Sequence, residues 1–246
     1  MRMIATDLDS TLLRGDKSVS AYTAEVLAQC RARGIKVVAA TGRSRPALMH
    51  VIDPDIFDAQ VVNNGALTYI GDEIVRECTL PLELSREILL ELAQNPAVTA
   101  ISARYRDQCY RSTMAHFSDI VHDFTQPLEV NVTRASFTTQ DHEFGVDLVR
   151  RYPQLRICRF SGEDVYDIGP ATKAQAIEAL AAHWGIAMRD VIAFGDDFND
   201  VDMLRACGTG VAVANAIDKA KAAADHICAS NEDDGVVKWI GEHIFT

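Results

Sequence analysis

No stretch of this 246-residue chain approaches the ~18 consecutive apolar residues that a membrane span requires. Asp7 interrupts the N-terminus before an apolar leader core can form, so no secretory leader is expected. Basic residues are few, 24 against 35 acidic ones, and nowhere gather into a run. A net charge of −11 without a basic stripe gives no footprint for a phosphate backbone, and nucleic acid is therefore not an expected partner. The six cysteines (Cys30, Cys78, Cys109, Cys158, Cys207, Cys228) form no C-x-x-C pair and no Cys/His cluster at zinc spacing. They read as reduced core residues of a cytoplasmic protein. Also missing are a Walker A sequence, G-x-S-x-G and H-E-x-x-H, and none of the seven histidines stands at triad-like spacing. Serine or cysteine nucleophiles thus have no support.

What is present is a strand–helix alternation in the first and last thirds. "MIATD", "IKVVAATGR" and "AQVVNNGA" read as short, near-continuously apolar strands. "SAYTAEVLAQCRARG" reads as a helix with Ser20 as N-cap and Gly34 as stop. The last third repeats this grammar: Thr172 caps the helix "KAQAIEALAAHWG", then come the strand "DVIAFGDD", a helix from about Asn199, the strand "GVAVAN" and a short Ala/Lys-rich helix. Such alternation predicts a parallel sheet, each strand buried on both faces. The middle differs, with helices "LELSREILLELAQ" and "DHEFGVDLVRRY", an extended stretch "LEVNVTR", and strands "VTAISARYR", "QCYRST", "LRICRF" and "DVYDI" whose polar and apolar residues alternate. That pattern suits an antiparallel sheet. The expected fold is α/β, a Rossmann-like parallel-sheet core with an inserted α+β module: core 1–80, insert 81–166, core 167–246. Pro81 and Gly169-Pro170 mark the junctions.

In an open parallel sheet, ligands bind beyond the carboxyl ends of the strands. Four polar clusters stand there: Asp7 and Asp9; Thr41-Gly42-Arg43; Asn63-Asn64-Gly65; and "GDDFND" at 195–200. Asp7 and Asp9 are either a turn and a cap or two oxygen donors sharing a hard divalent cation, most simply Mg²⁺. Thr41 is either a strand-end turn residue or a phosphate binder, with Gly42 permitting close approach. Lys173, in the first turn of its helix, opposes the helix dipole and is either solvated or compensated by an anion. Helix capping explains one or two of Asp196, Asp197, Asn199 and Asp200; the surplus oxygens suggest metal ligation.

Each cluster alone is weak, but their order is not. Asp7-Leu8-Asp9-Ser10-Thr11, Thr41-Gly42-Arg43, Lys173 and Gly195-Asp196-Asp197-Phe198-Asn199-Asp200 resemble, in order, the four motifs of the haloacid dehalogenase (HAD) superfamily. "VVNNGA" and "NEDDGV" resemble its Cof-like branch, whose C2-type cap, here of the C2B kind, lies between the second and third motifs. The resemblance spans the whole chain and implies a phosphoric monoester hydrolase. Asp7 would attack phosphorus to form an aspartyl-phosphate. Asp9 would act as acid and then base, which requires its pKa to lie above that of Asp7. Mg²⁺ would sit on Asp7, Asp196 and a backbone carbonyl of Asp9. Thr41, Gly42, Lys173 and Asn199 would bind the phosphoryl oxygens, with Asp200, Arg43 and Asn64 in support. Two positions depart from the pattern, Ser10 and Ala174, both places where the family usually has glycine.

The expected partner is a small phosphorylated metabolite such as a sugar phosphate. Alternatives are a phosphomutase of sugar phosphates and a non-catalytic phosphate-binding protein, though a pure binder has no need of the second acid at Asp9. In the inserted module, Arg104 and Arg106 are expected on one strand face. They and Arg111 are either a solvated hairpin face or contacts to an anionic part of the substrate.

Overall fold

The structure is a computed structural model and describes residues 1–116, 118–159 and 164–245. Its strands are β1 (Met3–Thr6), β2 (Lys36–Ala40), β3 (Ala59–Val62), β4 (Leu67–Ile70), β5 (Glu73–Glu77), β6 (Val98–Tyr105), β7 (Gln108–Arg111), β8 (Ile120–Val121), β9 (Arg134–Thr139), β10 (Arg156–Arg159), β11 (Val165–Gly169), β12 (Val191–Gly195), β13 (Thr209–Val213) and β14 (His226–Cys228). Its helices are α1 (Ala21–Ala32), α2 (Arg45–Met49), α3 (Leu82–Gln94), α4 (His142–Arg151), α5 (Lys173–His183), α6 (Val201–Ala206), α7 (Asp218–Lys221) and α8 (Gly235–Ile244).

Two compact units result: Met1–Arg76 with Thr172–Thr246, and Glu77–Ala171. The first unit carries an eight-stranded sheet in the order β14-β13-β12-β1-β2-β3-β4-β5. β1, β2, β3, β12, β13 and β14 pair in parallel, and β4 pairs antiparallel to β3. As expected for a sheet covered on both faces, β1 and β12 are buried at every residue. β5 alternates exposed and half-buried residues at the sheet's edge. Ser20 caps α1 by accepting from the Thr23 amide at 2.9 Å. Thr172 and Gln175 form a reciprocal capping box that starts α5.

The second unit is an α+β module whose sheet runs β10-β11-β9-β6-β7-β8. Alternate residues of its strands, Ile101, Ala103, Ala135, Phe137, Tyr166 and Ile168, pack with Ile88, Leu92 and Leu148 of α3 and α4. The expected extended stretch 128–134 is not a strand; the strand begins where it ends, at Arg134. α2, β4, β5, β8, β9, β14 and α8 have no counterpart in the pattern reading. Phe160, the last residue of "LRICRF", lies outside the described residues. All six cysteines are free, and burial pushes the Cys207 and Cys228 thiols up to about 12, as for inert packing residues. Among the described residues, no helix is long and apolar enough to cross a membrane.

Candidate active site

From β1 the chain order runs outward one way through β2 and β3, and the other way through β12, β13 and β14. The sheet therefore reverses direction between β1 and β12, and the crevice beyond their carboxyl ends is where such a sheet leaves room for a ligand. Asp7 follows β1 and Asp196 follows β12, one on each side of that switch point. Thr41 follows β2, and Asn63 and Asn64 follow β3. The first turn of α5 delivers Lys173 to the same place.

Lys173 has a fully buried side chain and donates to Asp7 Oδ1 at 2.6 Å and to Asp200 Oδ1 at 2.7 Å. These two carboxylates supply the anionic charge that offsets a lysine placed at the positive end of its own helix. Burial acts against the ammonium, but Asp200 and Asp7 outweigh it and hold its pKa above the ordinary lysine value. Asp200 is saturated, because its Oδ2 also accepts from the Asp196 and Asp197 amides at 3.0 and 3.1 Å. Gly195 makes that possible, since a Cβ there would lie 2.5 Å from the Cβ of Asp200. Asp200 is thus a positioning residue for the lysine and the loop.

Asp7 and Asp196 each keep one oxygen without a hydrogen bond among the described residues. Asp7 uses Oδ1 for Lys173, and Asp196 uses Oδ1 to accept from Thr11 Oγ1 at 2.6 Å. Oxygen atoms of Asp7, Asp196 and Asp200 lie within 4.8 Å of one another. One ammonium is hydrogen-bonded into this set of three carboxylates, so the cluster is short of positive charge. The electrostatics show it: burial, then the neighbouring carboxylates, raise Asp7 well above the usual range, and burial with Asp200 pushes Asp196 up to about 7. A donor set made only of carboxylate oxygens fits a hard divalent cation such as Mg²⁺ rather than zinc.

Asp9 faces a different environment. Arg43 donates Nε–H and Nη2–H to its two carboxylate oxygens, each at 2.7 Å, and Lys17 donates to Oδ1 at 2.9 Å. Burial would raise its pKa, but these hydrogen bonds prevail and hold it below the ordinary carboxylate value. The expected order of the two acids is therefore reversed in this state: Asp9 lies low and Asp7 high. The reason is local, a guanidinium fork on one and an uncompensated acidic cluster around the other.

The second and third clusters close around this centre. The Arg43 amide donates to Thr41 Oγ1 at 3.1 Å, and the Asn64 amide donates to the Thr41 carbonyl at 3.1 Å. Asn199 Nδ2 donates to Asn64 Oδ1 at 2.9 Å. A Cβ on Gly42 would stand 3.1 Å from that same Oδ1, so the small residue keeps the loops close. Gly65 has φ of +99°, and a Cβ there would lie 2.2 Å from the Thr172 carbonyl oxygen, which fixes the start of α5 against the β3 loop.

Four residues of this neighbourhood escaped the sequence reading: Thr11, Lys17, Asn215 and Asn231. Asn215 donates to the Ser10 carbonyl at 2.7 Å, and Asn231 to the Leu13 carbonyl at 2.9 Å, so both fasten the loop after β1. Asn231 sits inside "NEDDGV", one of the two stretches that carry the Cof-like resemblance. Ser10 has φ of +59°, the left-handed region where glycine carries no Cβ penalty; the departure from the family pattern is a strained serine, at a cost of roughly 1–2 kcal/mol. Ala174 lies inside α5, where alanine is the better helix former.

A family description, haloacid dehalogenase-like hydrolase, matches residues 4–240. The chain belongs to that family. A pyridoxal phosphate phosphatase of Escherichia coli (strain K12) is 27% identical over 278 residues, covering 99% of this chain and 98% of its own. A chloroplast protein of Arabidopsis thaliana named as an endoribonuclease is 27% identical over 98% of this chain, yet the chain spans only 46% of its length. A solved HAD subclass IIB sugar phosphatase superposes with a TM-score of 0.86 at 23% identity, over 98% of both chains. At that identity the likeness shows the fold, a parallel-sheet HAD core with an α+β insert.

The charge imbalance of this acidic cluster sets an expectation for how stability responds to pH and to added Mg²⁺. A raised folded-state pKa means that stability from Asp196 is fully present below about pH 4, its unfolded value, and is lost as pH rises through its folded value of about 7. In chelator, the wild-type melting temperature is expected to fall by a few degrees from about pH 5 to about pH 8, and Mg²⁺ at the higher pH to restore it. Asp196→Asn should flatten that slope and blunt the Mg²⁺ response. Equal slopes in the two proteins would reject the assignment.

Proposed function

We propose that this chain is a Mg²⁺-dependent phosphatase that hydrolyses a small phosphorylated metabolite through an aspartyl-phosphate on Asp7. The observation that carries the reading is the pairing of a buried, lysine-bound Asp7 with Asp196 across the switch point of the sheet, in a cluster short of positive charge. Asp7, Asp196 and the backbone carbonyl of Asp9 would hold the cation, which supplies charge neutralisation for a phosphoryl group beside the carboxylates.

Asp7 Oδ2 has no hydrogen bond among the described residues, so it would be the oxygen free to attack phosphorus in line while Lys173 holds Oδ1 and fixes the carboxylate plane. Lys173, the Thr41 hydroxyl and Asn199 balance the charge that spreads over the equatorial oxygens. Asp9, ionised on Arg43 and Lys17, is in the state of a base that takes a proton from the water attacking the aspartyl-phosphate. To protonate the leaving oxygen in the first half-reaction, it has to come off the Arg43 fork and first take up a proton, which that departure favours by removing the guanidinium that holds its pKa down. The relatives support a phosphate monoester as substrate, since one is named for pyridoxal phosphate and the solved neighbour for sugar phosphates. Those two substrates differ in everything but the phosphoryl group, which is the part this site would grip.

The test is phosphate release over a broad panel of phosphorylated metabolites with Mg²⁺ and with chelator. Release from at least one class, abolished by chelator, is the expected result. No turnover of any compound with Mg²⁺ present would leave a non-catalytic binder, and conversion of a sugar phosphate to its isomer without free phosphate would make the protein a mutase.

A further inference from the structure

The arginines of the inserted unit do not form the pair their sequence positions suggest. Arg106 lies beyond β6, with φ of +52°, and its guanidinium is forked onto Glu77 at 3.1 and 2.8 Å. β6 ends at Tyr105, and a left-handed residue breaks the alternation, so Arg104 and Arg106 do not share a strand face.

Arg104 instead belongs to the sheet face turned away from α3 and α4. Its neighbours Ala103 and Ile101 pack in the apolar core, which puts Ser102 and Arg104 on the other side. In register beside them stand Ser136 and Arg134 of β9, and Arg111 and Cys109 of β7. Ser102 and Ser136 hydroxyls are hydrogen-bonded at 2.7 Å across this face, as the register requires. Three guanidinium groups therefore converge, with Arg104 directly opposite Arg134 and Arg111 on the diagonal. Directly opposed like charges destabilise a strand pair.

Two of the three have their own counter-ions. Arg134 is paired with the buried Asp167, and Arg111 lies 3.1 Å from Asp119. Among the described residues no carboxylate is within ion-pair distance of Arg104, although its residue is partly buried. Burial, with Arg134 and Arg111 beside it, depresses its pKa below the ordinary arginine value. A partly desolvated guanidinium, set among like charges and left without an acceptor, is a poor arrangement for stability by itself.

We propose that Arg104 is the centre of an anion-binding site on this face, taking a carboxylate or phosphate group of a small molecule, with Arg134 and Arg111 adding field. Its planar fork suits such a group in a bidentate contact. The group belongs to a small molecule held on this face of the unit's own sheet.

One measurement on the full chain tests it. In chelator, malonate and inorganic phosphate are titrated while melting temperature is followed for wild type, Arg104→Gln and Arg104→Lys, with Arg106→Gln as a control for loss of an arginine elsewhere in the unit. Wild type and the Arg106 variant should gain a few degrees at saturation, Arg104→Lys less, and Arg104→Gln almost nothing. Because Arg104→Gln removes a cation from a crowded cluster, it should fold and melt no lower than wild type before any anion is added. An equal anion response in wild type and Arg104→Gln, or none in wild type, overturns the proposal.

Discussion

Replacing Asp7 by asparagine is expected to cut phosphate release by about 10⁴-fold or more while leaving a protein that melts no lower than wild type in metal-free buffer. The catalytic loss follows from the lost nucleophile, because an amide oxygen cannot form the acyl-phosphate that water then cleaves. The stability follows from electrostatics. Asp7 is buried beside Asp196 and Asp200, and its carboxylate is already disfavoured, as its raised pKa shows. Asparagine keeps the volume and an oxygen acceptor for Lys173, and removes one charge from a cluster with an excess of them. Phosphate release by purified enzyme and thermal melting in chelator are the measurements. Substantial hydrolysis by the variant would remove Asp7 as nucleophile; a large drop in melting temperature would mean that the ionised form is needed to hold the loop.

The opposite outcome is expected at Lys173. Lys173→Met leaves Asp7 and Asp200 facing each other, buried, without the cation that both use. Breaking a buried ion pair from one side costs about 3–5 kcal/mol, which for a chain of this size lowers the melting temperature by roughly 10 °C. Part of that cost is relieved if Asp7 takes up a proton, so the loss should be smaller at low pH. Asp7→Asn in the Lys173→Met background should recover some of the stability, with a coupling of about 1–3 kcal/mol between the two positions. Melting curves of the two single variants and the double variant form the cycle. If Lys173→Met melts like wild type, the lysine is not the keystone of the cluster, and its place between the two aspartates is incidental.

The positions of the candidate site residues were legible because they sit at the ends of strands, and those strands announce themselves by short, unbroken apolar runs. "MIATD", "IKVVAATGR" and "DVIAFGDD" each carry, just past the strand, a residue that the sheet delivers to the crevice: Asp7, Thr41 and Asp196. Pattern reading failed where the signal is not periodic. β9 begins after an extended stretch of similar composition, and its start at Arg134 depends on pairing with β6 and β11. Arg106 looked like the strand partner of Arg104, yet one left-handed residue turned it to Glu77. Thr11 and Asn231 lie within motif stretches and Asn215 does not, but in none of them does the local sequence name the partner; they matter because the fold brings residues some two hundred positions apart to hydrogen-bonding distance.

By itself the sequence determined the fold class, the HAD resemblance, and the set of residues from which an active centre is drawn, because apolar periodicity and strand-end polarity are local properties of the chain. Only the tertiary structure decided which carboxylate is bound to which cation: Asp7 and Asp200 to Lys173, Asp9 to Arg43 and Lys17. That pairing sets the two acids' pKa values in the reverse of the expected order. The reason is physical, since the energy of a charge depends on burial and on neighbours a few ångströms away, and neither is written in its adjacent residues.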